Sequence, residues 1–224
     1  WMLTMQNKDG GWGAFDRNND REFLCHVPFA DHNAMLDPTC ADITGRTLES
    51  LCRRGFRHQD PAIARGVEFL LTRQESNGSW YGRWGVHYIY GTFLAIRGLV
   101  ATGAPHIRKA IARGARWLRD VQNPDGGWGE SCLGYDTGQF ERTESTPSQT
   151  AWAVLGLIAA GEIAGAAVYK GIRWLRDHQR PDERPQQQDG SQLEGQDVAV
   201  WCNQGCAELA DRIGTRIQGY GQCS

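Results

Sequence analysis

The 224-residue sequence has no surplus of positive charge: 24 Lys and Arg stand against 26 Asp and Glu, for a formal net charge of -2 and a pI near 6.3. Nor does any run of Lys or Arg appear along it. The electrostatic footprint of a nucleic-acid binder is therefore lacking, and nucleic acid is not expected as a partner. Long apolar runs are lacking too. None reaches the roughly 18 residues of a membrane span, and Trp1-Met2-Leu3-Thr4-Met5-Gln6 has neither the charged start nor the apolar core of a signal peptide. The expectation is a cytoplasmic or surface-bound fragment. Seven cysteines, an odd number at irregular spacing, do not make a disulfide framework in a protein of this size. They read as reduced, most of them small buried apolar residues.

The sequence is rich in tryptophan and in repetition. With 40% hydrophobic residues it can bury a core. Three segments share one pattern: Gln6-Asn7-Lys8-Asp9-Gly10-Gly11-Trp12, Gln74-Glu75-Ser76-Asn77-Gly78-Ser79-Trp80 and Gln122-Asn123-Pro124-Asp125-Gly126-Gly127-Trp128. In each, a Trp follows a Gln by six residues across a turn of Asn, Asp and Gly. In two of them the Gln closes an amphipathic stretch, residues 65–70 before Gln74 and 113–118 before Gln122, so the repeating unit is a helix with its C-terminal turn. Trp12, Trp80 and Trp128 account for three of the nine tryptophans. An indole over a helix end, with a Gln amide nearby to bond backbone groups left open there, reads as a packing clamp between neighbouring helices.

Between these units lie more apolar helical stretches, residues 41–51, 90–100 and 150–158, finishing at Gly55, Gly103 and Gly161. Glycine in that position suits the left-handed turn that ends a helix. A buried helix therefore alternates with an amphipathic one, which builds a toroid or a solenoid. About three good pairs are legible, too few for a closed double ring of about six. The chain thus reads as part of a larger barrel, truncated just ahead of Gln6. Residues 170–182 resemble a fourth repeat helix, yet Pro185 stands six residues after Gln179, where a Trp belongs. Two units are expected: 1–182 as barrel, and 183–224 as an anomalous tail arising from a reading-frame shift or mis-joined segment, with a natural divergent tail as the alternative.

The three repeats, together with Gly82-Arg83-Trp84-Gly85-Val86-His87-Tyr88-Ile89-Tyr90-Gly91-Thr92 and Ser145-Thr146-Pro147-Ser148-Gln149-Thr150-Ala151-Trp152, closely resemble bacterial squalene–hopene cyclases over residues 1–182. The resemblance implies an all-α fold, part of the (α/α)6 barrel of the terpenoid cyclase and protein prenyltransferase type, built on these QW motifs. It implies an isomerase that protonates squalene and closes its rings through carbocations to hopene or hopanol. It also implies no metal and no cofactor, a monotopic place on the cytoplasmic side of a bacterial membrane, and a homodimer of the complete enzyme.

Protonating an unactivated alkene needs a strong, positioned acid, and the cations that follow need dry walls that are electron-rich without being nucleophilic. Aromatic faces meet that demand. By motif position the resemblance points to Phe15, Phe29, Trp84 and Tyr90 as pocket rings, with ordinary core packing as the competing reading. Asp42 and Arg46 stand four apart on one helix face and can touch. The resemblance places Asp42 at an acidic position near the proton donor, and Arg46 where a His commonly bonds that donor. An Arg keeps the positive charge but cannot shuttle a proton; a plain surface i,i+4 pair is the alternative. The family's Asp-x-Asp-Asp donor occurs nowhere in the sequence, so the isolated chain is expected to be inactive. Three other readings stay open. A zinc-dependent prenyltransferase β-like subunit would draw ligands from Cys202, Cys206 and Cys223. A toroidal glycosidase would draw on Asp9, Asp125 and Asp136, and a helical-repeat module would only bind.

Overall fold

The computed structural model describes residues 1–20 and 36–178. Among the described residues seven α-helices follow in order: α1 Ala41–Arg53, α2 Pro61–Thr72, α3 His87–Thr102, α4 Arg108–Asp120, α5 Gly134–Thr137, α6 Pro147–Ala159 and α7 Ala166–Asp177, with a 3-10 turn at Pro105–Ile107 before α4. No strand occurs among the described residues, only three isolated bridges, one of them tying Trp12 to Cys40. The fold is all-α.

The alternation of helix types has its origin in composition. Helices α1, α3 and α6 carry glycine and small residues on the faces that meet, so their backbones approach closely. A Cβ on Gly45 would lie 2.3 Å from the Leu94 carbonyl oxygen, and one on Gly98 would lie 2.6 Å from Gly45 Cα. Helix α3 lies between α1 and α6 and is buried almost all round. Helices α2, α4 and α7 bury one stripe only, as Ile63, Val67 and Leu70 do in α2. Gly55, Gly103 and Gly161 adopt φ of 99°, 63° and 95°, the left-handed region that a glycine enters without cost from a Cβ.

The repeats are near-identical joints. Gln6, Gln74 and Gln122 each donate from Nε2 to the carbonyl of the turn glycine, Gly10, Gly78 or Gly126, at 2.7 to 2.9 Å. The same nitrogen donates to Ala62, Ala110 or Ala167 in the first turn of the next outer helix at 2.8 to 2.9 Å. The Gln therefore reaches forward to the following helix rather than capping the end of its own. Each indole Nε1 donates to a carbonyl ten residues back, Met2, Leu70 or Leu118, at 2.7 Å. Each Trp main-chain N–H donates to a threonine hydroxyl on an inner helix, Thr44, Thr92 or Thr150. The ring edge rests where a Cβ would stand on Gly66, Gly114 or Gly171 of the next outer helix. At Trp80 and Trp128 one residue pair thus fastens two outer helices and one inner helix, whereas at Trp12 the indole's partner Met2 lies in a turn. The three indoles are 2%, 0% and 0% exposed.

Among the described residues Cys40 and Cys52 are buried free thiols and Cys132 is an exposed one. The fourth repeat helix exists as α7, but Gln179 and the tail 183–224, with Cys202, Cys206 and Cys223, lie outside the described residues. No helix among the described residues is long and apolar enough to cross a membrane.

Candidate active site

The N-terminal ends of α1, α3 and α6, with the turn after Trp12, gather most of the residues that the motifs single out. Asp42 sits in the first turn of α1, where the positive end of the helix dipole favours a carboxylate. It is fully buried, so it is not half of a surface pair. Its Oδ2 accepts the main-chain N–H of Trp84 at 2.8 Å, while Oδ1 has no hydrogen-bond partner among the described residues. The thiol of Cys40 next to it is pushed well above the ordinary thiol range, by burial first and then by the charge of Asp42.

Arg46 lies one helical turn on, and the Asp42–Arg46 contact that their spacing allows is not made. The guanidinium instead donates from Nη2 to the Tyr90 hydroxyl at 2.9 Å and stands 5.7 Å from the centre of that ring. Burial raises the Tyr90 phenol above its usual range and the charge of Arg46 works against the rise. The reason for the rearrangement is packing: with α1 and α3 in backbone contact at Gly45 and Gly98, Tyr90 of α3 comes within reach of a long Arg side chain on α1.

Four rings line this end. Phe15 meets Trp84 edge to face, centroids 5.9 Å apart at 73°; Tyr90 meets Trp152 at 4.8 Å and 60°. Phe15 and Trp84 are 52% and 45% exposed, unusual for large apolar side chains, while Tyr90 is buried. The guanidinium of Arg83 lies 5.9 Å from the Trp84 ring centre. Phe29 lies outside the described residues.

Two residues that shape the site, Asp37 and Glu130, carried no readable sign in the sequence, and a third, Trp152, stood in a motif without being marked as a pocket ring. Asp37 is fully buried and takes three successive main-chain N–H groups, Ala14 at 2.8 Å and Phe15 and Asp16 each at 2.6 Å, which sets the loop that presents Phe15. Trp152, the last residue of the Ser145–Trp152 motif, joins the ring wall. Glu130 is buried, and burial raises its carboxyl above the usual range against the pull of the main-chain N–H groups it accepts. Each depends on a partner more than 20 residues away, and distant partners leave no local pattern.

The carboxylates expected of a glycosidase do not converge on a groove. Asp9 accepts from Gly11 N–H and the Thr39 hydroxyl, and Asp125 from Gly127 N–H, the Ser145 hydroxyl and the Trp174 indole. Both belong to repeat turns. Asp136 is in the short helix α5. Among the described residues no three His, Cys, Asp or Glu side chains come together in a metal-holding group.

The family model of the squalene–hopene cyclase C-terminal domain matches residues 1–192. The chain belongs to the squalene–hopene cyclase family. Squalene–hopene cyclase of Zymomonas mobilis is 48% identical over 181 residues, 80% of this chain and 28% of that protein. The Bradyrhizobium diazoefficiens enzyme of the same name is 44% identical over 178 residues, 78% of this chain and 27% of that protein. This cyclase-family chain thus spans little more than a quarter of those relatives. A type II terpene cyclase from Scytonema, solved with merosterolic acid A, superposes with a TM-score of 0.57 at 19% identity, over 80% of this chain and 48% of that one. That likeness concerns the fold, the helical toroid of terpene cyclases. Neither the prenyltransferase nor the binding-module reading is favoured by these relatives.

Proposed function

We propose that this chain forms one wall of the cyclisation pocket of a squalene–hopene cyclase. The observation that carries the reading is the buried Asp42 carboxylate locking Trp84, half exposed beside Phe15, at the same helix ends where Tyr90 and Trp152 pack together. Such rings offer about 0.5 to 2 kcal/mol each of cation–π attraction where water is excluded. Guanidinium groups already stand 5.7 and 5.9 Å from the Tyr90 and Trp84 ring centres.

The reaction begins when an acid transfers a proton to the terminal alkene of squalene. Each ring closes as an alkene π pair bonds to the cationic carbon, moving the charge onward. Loss of a proton from the last cation gives hopene, an isomer of squalene; capture of water with loss of a proton gives hopanol. The acid, an Asp-x-Asp-Asp group in the family, is not in this sequence. The isolated chain is therefore proposed to be inactive, and the role of its own residues is to shape the pocket, exclude water and attract charge. No metal or cofactor takes part. Squalene arrives from the bilayer, which places the complete enzyme on a membrane surface, on the cytoplasmic side, as a monotopic protein and a homodimer.

A domain exchange tests the reading. Residues 1–192 of this chain would replace the matching segment of the Zymomonas enzyme, and the product would be assayed on squalene by gas chromatography. Hopene or hopanol is expected. A folded exchange protein that consumes no squalene would overturn the proposal.

A further inference from the structure

The segment Ser145-Thr146-Pro147-Ser148-Gln149 takes no part in the ring wall, yet its contacts lead there. Thr146 is the N-cap of α6; its hydroxyl accepts from Gln149 N–H and donates to Gln149 Oε1 at 2.9 Å. The Gln149 amide then pairs with the main chain of Glu130 at both ends, Nε2 donating to the carbonyl at 3.0 Å and Oε1 accepting the N–H at 2.9 Å. From there the Glu130 carboxylate reaches the first turn of α3, where Oε1 accepts Tyr88 N–H and Oε2 accepts Ile89 N–H, each at 3.0 Å. Both Glu130 and Gln149 are buried. The N-cap residue of α3 is Val86, which has no side chain able to cap, so Glu130 supplies from a distant loop what the helix lacks locally.

The placement of these contacts decides what they do. Tyr90 directly follows Ile89, and Trp152 stands three residues, one helical turn, beyond Gln149. A two-point amide pairing and a two-point carboxylate cap leave little freedom between the first turns of α3 and α6. The Tyr90–Trp152 geometry, 4.8 Å at 60°, is the outcome of that spacing.

We infer that Glu130 and Gln149 are positioning residues that set the Tyr90–Trp152 pair and thereby the contour of the cyclisation wall. The effect on cyclisation rests on the function proposed above; the placement of the rings does not. A shift of about 1 Å in a reacting geometry can cost about a hundredfold in rate, so the pair has leverage without touching substrate. In Glu130→Gln the volume is kept, but an NH2 donor now faces one of the two main-chain donors, and half of the cap is lost. In Gln149→Leu the cap remains and the link to α6 is lost.

The test uses the 224-residue chain and near-ultraviolet circular dichroism. Subtracting the spectrum of Trp152→Phe isolates the Tyr90–Trp152 band. Glu130→Gln and Gln149→Leu are each expected to reduce that band by about half or more, since both remove a two-point restraint on a ring pair whose coupling is geometric. Helix content and the emission of the buried indoles should stay as they were. A full-strength band in either folded variant overturns the inference for that residue, and Gln149→Leu decides the link if Glu130→Gln does not fold. In the exchange enzyme, Glu130→Gln should raise the share of incompletely cyclised product about tenfold with KM for squalene within about twofold. An unchanged product share alongside a weakened band would restrict the role to packing and overturn the claim on cyclisation. If the parent exchange enzyme makes no hopene, the functional proposal fails, while the dichroism result still decides whether these residues place the rings.

Discussion

Asp42 holds Trp84 by its main chain: across 42 residues of sequence, one oxygen of the fully buried carboxylate accepts the Trp84 N–H at 2.8 Å. The acidic residue expected near the proton donor is therefore also a structural anchor for the candidate ring. Removing the carboxylate leaves a main-chain donor unpaired. Asp42→Ala is expected to cost about 1–3 kcal/mol in urea unfolding, and Asp42→Asn, which keeps an acceptor oxygen, clearly less. Equal losses for the two variants would contradict the anchoring role.

The QW joints should dominate stability. Trp80→Ala removes a fully buried ring that touches an outer helix and bonds the Leu70 carbonyl, and is expected to cost about 3–5 kcal/mol. Trp84→Ala, on a half-exposed ring, should cost well under half of that. Denaturation of both variants under one set of conditions gives the comparison, and a reversed order would sink the division between clamp and wall.

Acid should act on this chain in two opposite ways. Burial raises the Glu130 carboxyl in the folded state, so its contribution to stability is full below the unfolded Glu pKa and is lost as pH rises through the folded value. Glu130→Gln should flatten that fall. Asp125 behaves in the reverse sense: desolvation tends to raise its carboxyl, but bonds from Gly127, Ser145 and Trp174 outweigh it and hold it low. Its contribution is present above the unfolded Asp pKa and is lost as pH falls through the folded one. Thermal melts of Asp125→Asn should therefore lose part of the acid sensitivity, and an unaltered acid limb would refute the assignment.

Arg46 tempers the Tyr90 phenol. Burial raises that phenol and the guanidinium opposes the rise, so Arg46→Leu should shift the Tyr90 ionisation to still higher pH. Absorbance titration near 295 nm, with Tyr90→Phe as the blank, reads the change. A shift to lower pH would mean that the guanidinium does not face the ring in solution.

Much of the architecture could be read from local pattern. The spacing from Gln6 to Trp12, repeated at Gln74 and Gln122, marks joints whose hydrogen bonds recur nearly atom for atom, because each repeat holds its Gln and Trp at one spacing and so offers the same groups to equivalent positions on neighbouring helices. The glycine stops at Gly55, Gly103 and Gly161 were legible too. The Asp42–Arg46 pairing was not. An i,i+4 spacing states only that two side chains can meet, and a stronger competitor, the Tyr90 hydroxyl, arrives from another helix. Asp37 and Glu130 were invisible because a buried carboxylate that caps a distant turn looks, in sequence, like any other acidic residue.

The sequence by itself determined the alternation of inner and outer helices, the repeat joints and the family, since each follows from periodicity, turn chemistry and motifs spanning a few residues. Tertiary structure alone decided which polar group meets which: Asp42 with Trp84, Arg46 with Tyr90, and Glu130 with the first turn of α3. The physical reason is that buried donors and acceptors must be paired, and which partner is nearest depends on how closely glycines such as Gly45 and Gly98 let the inner helices approach.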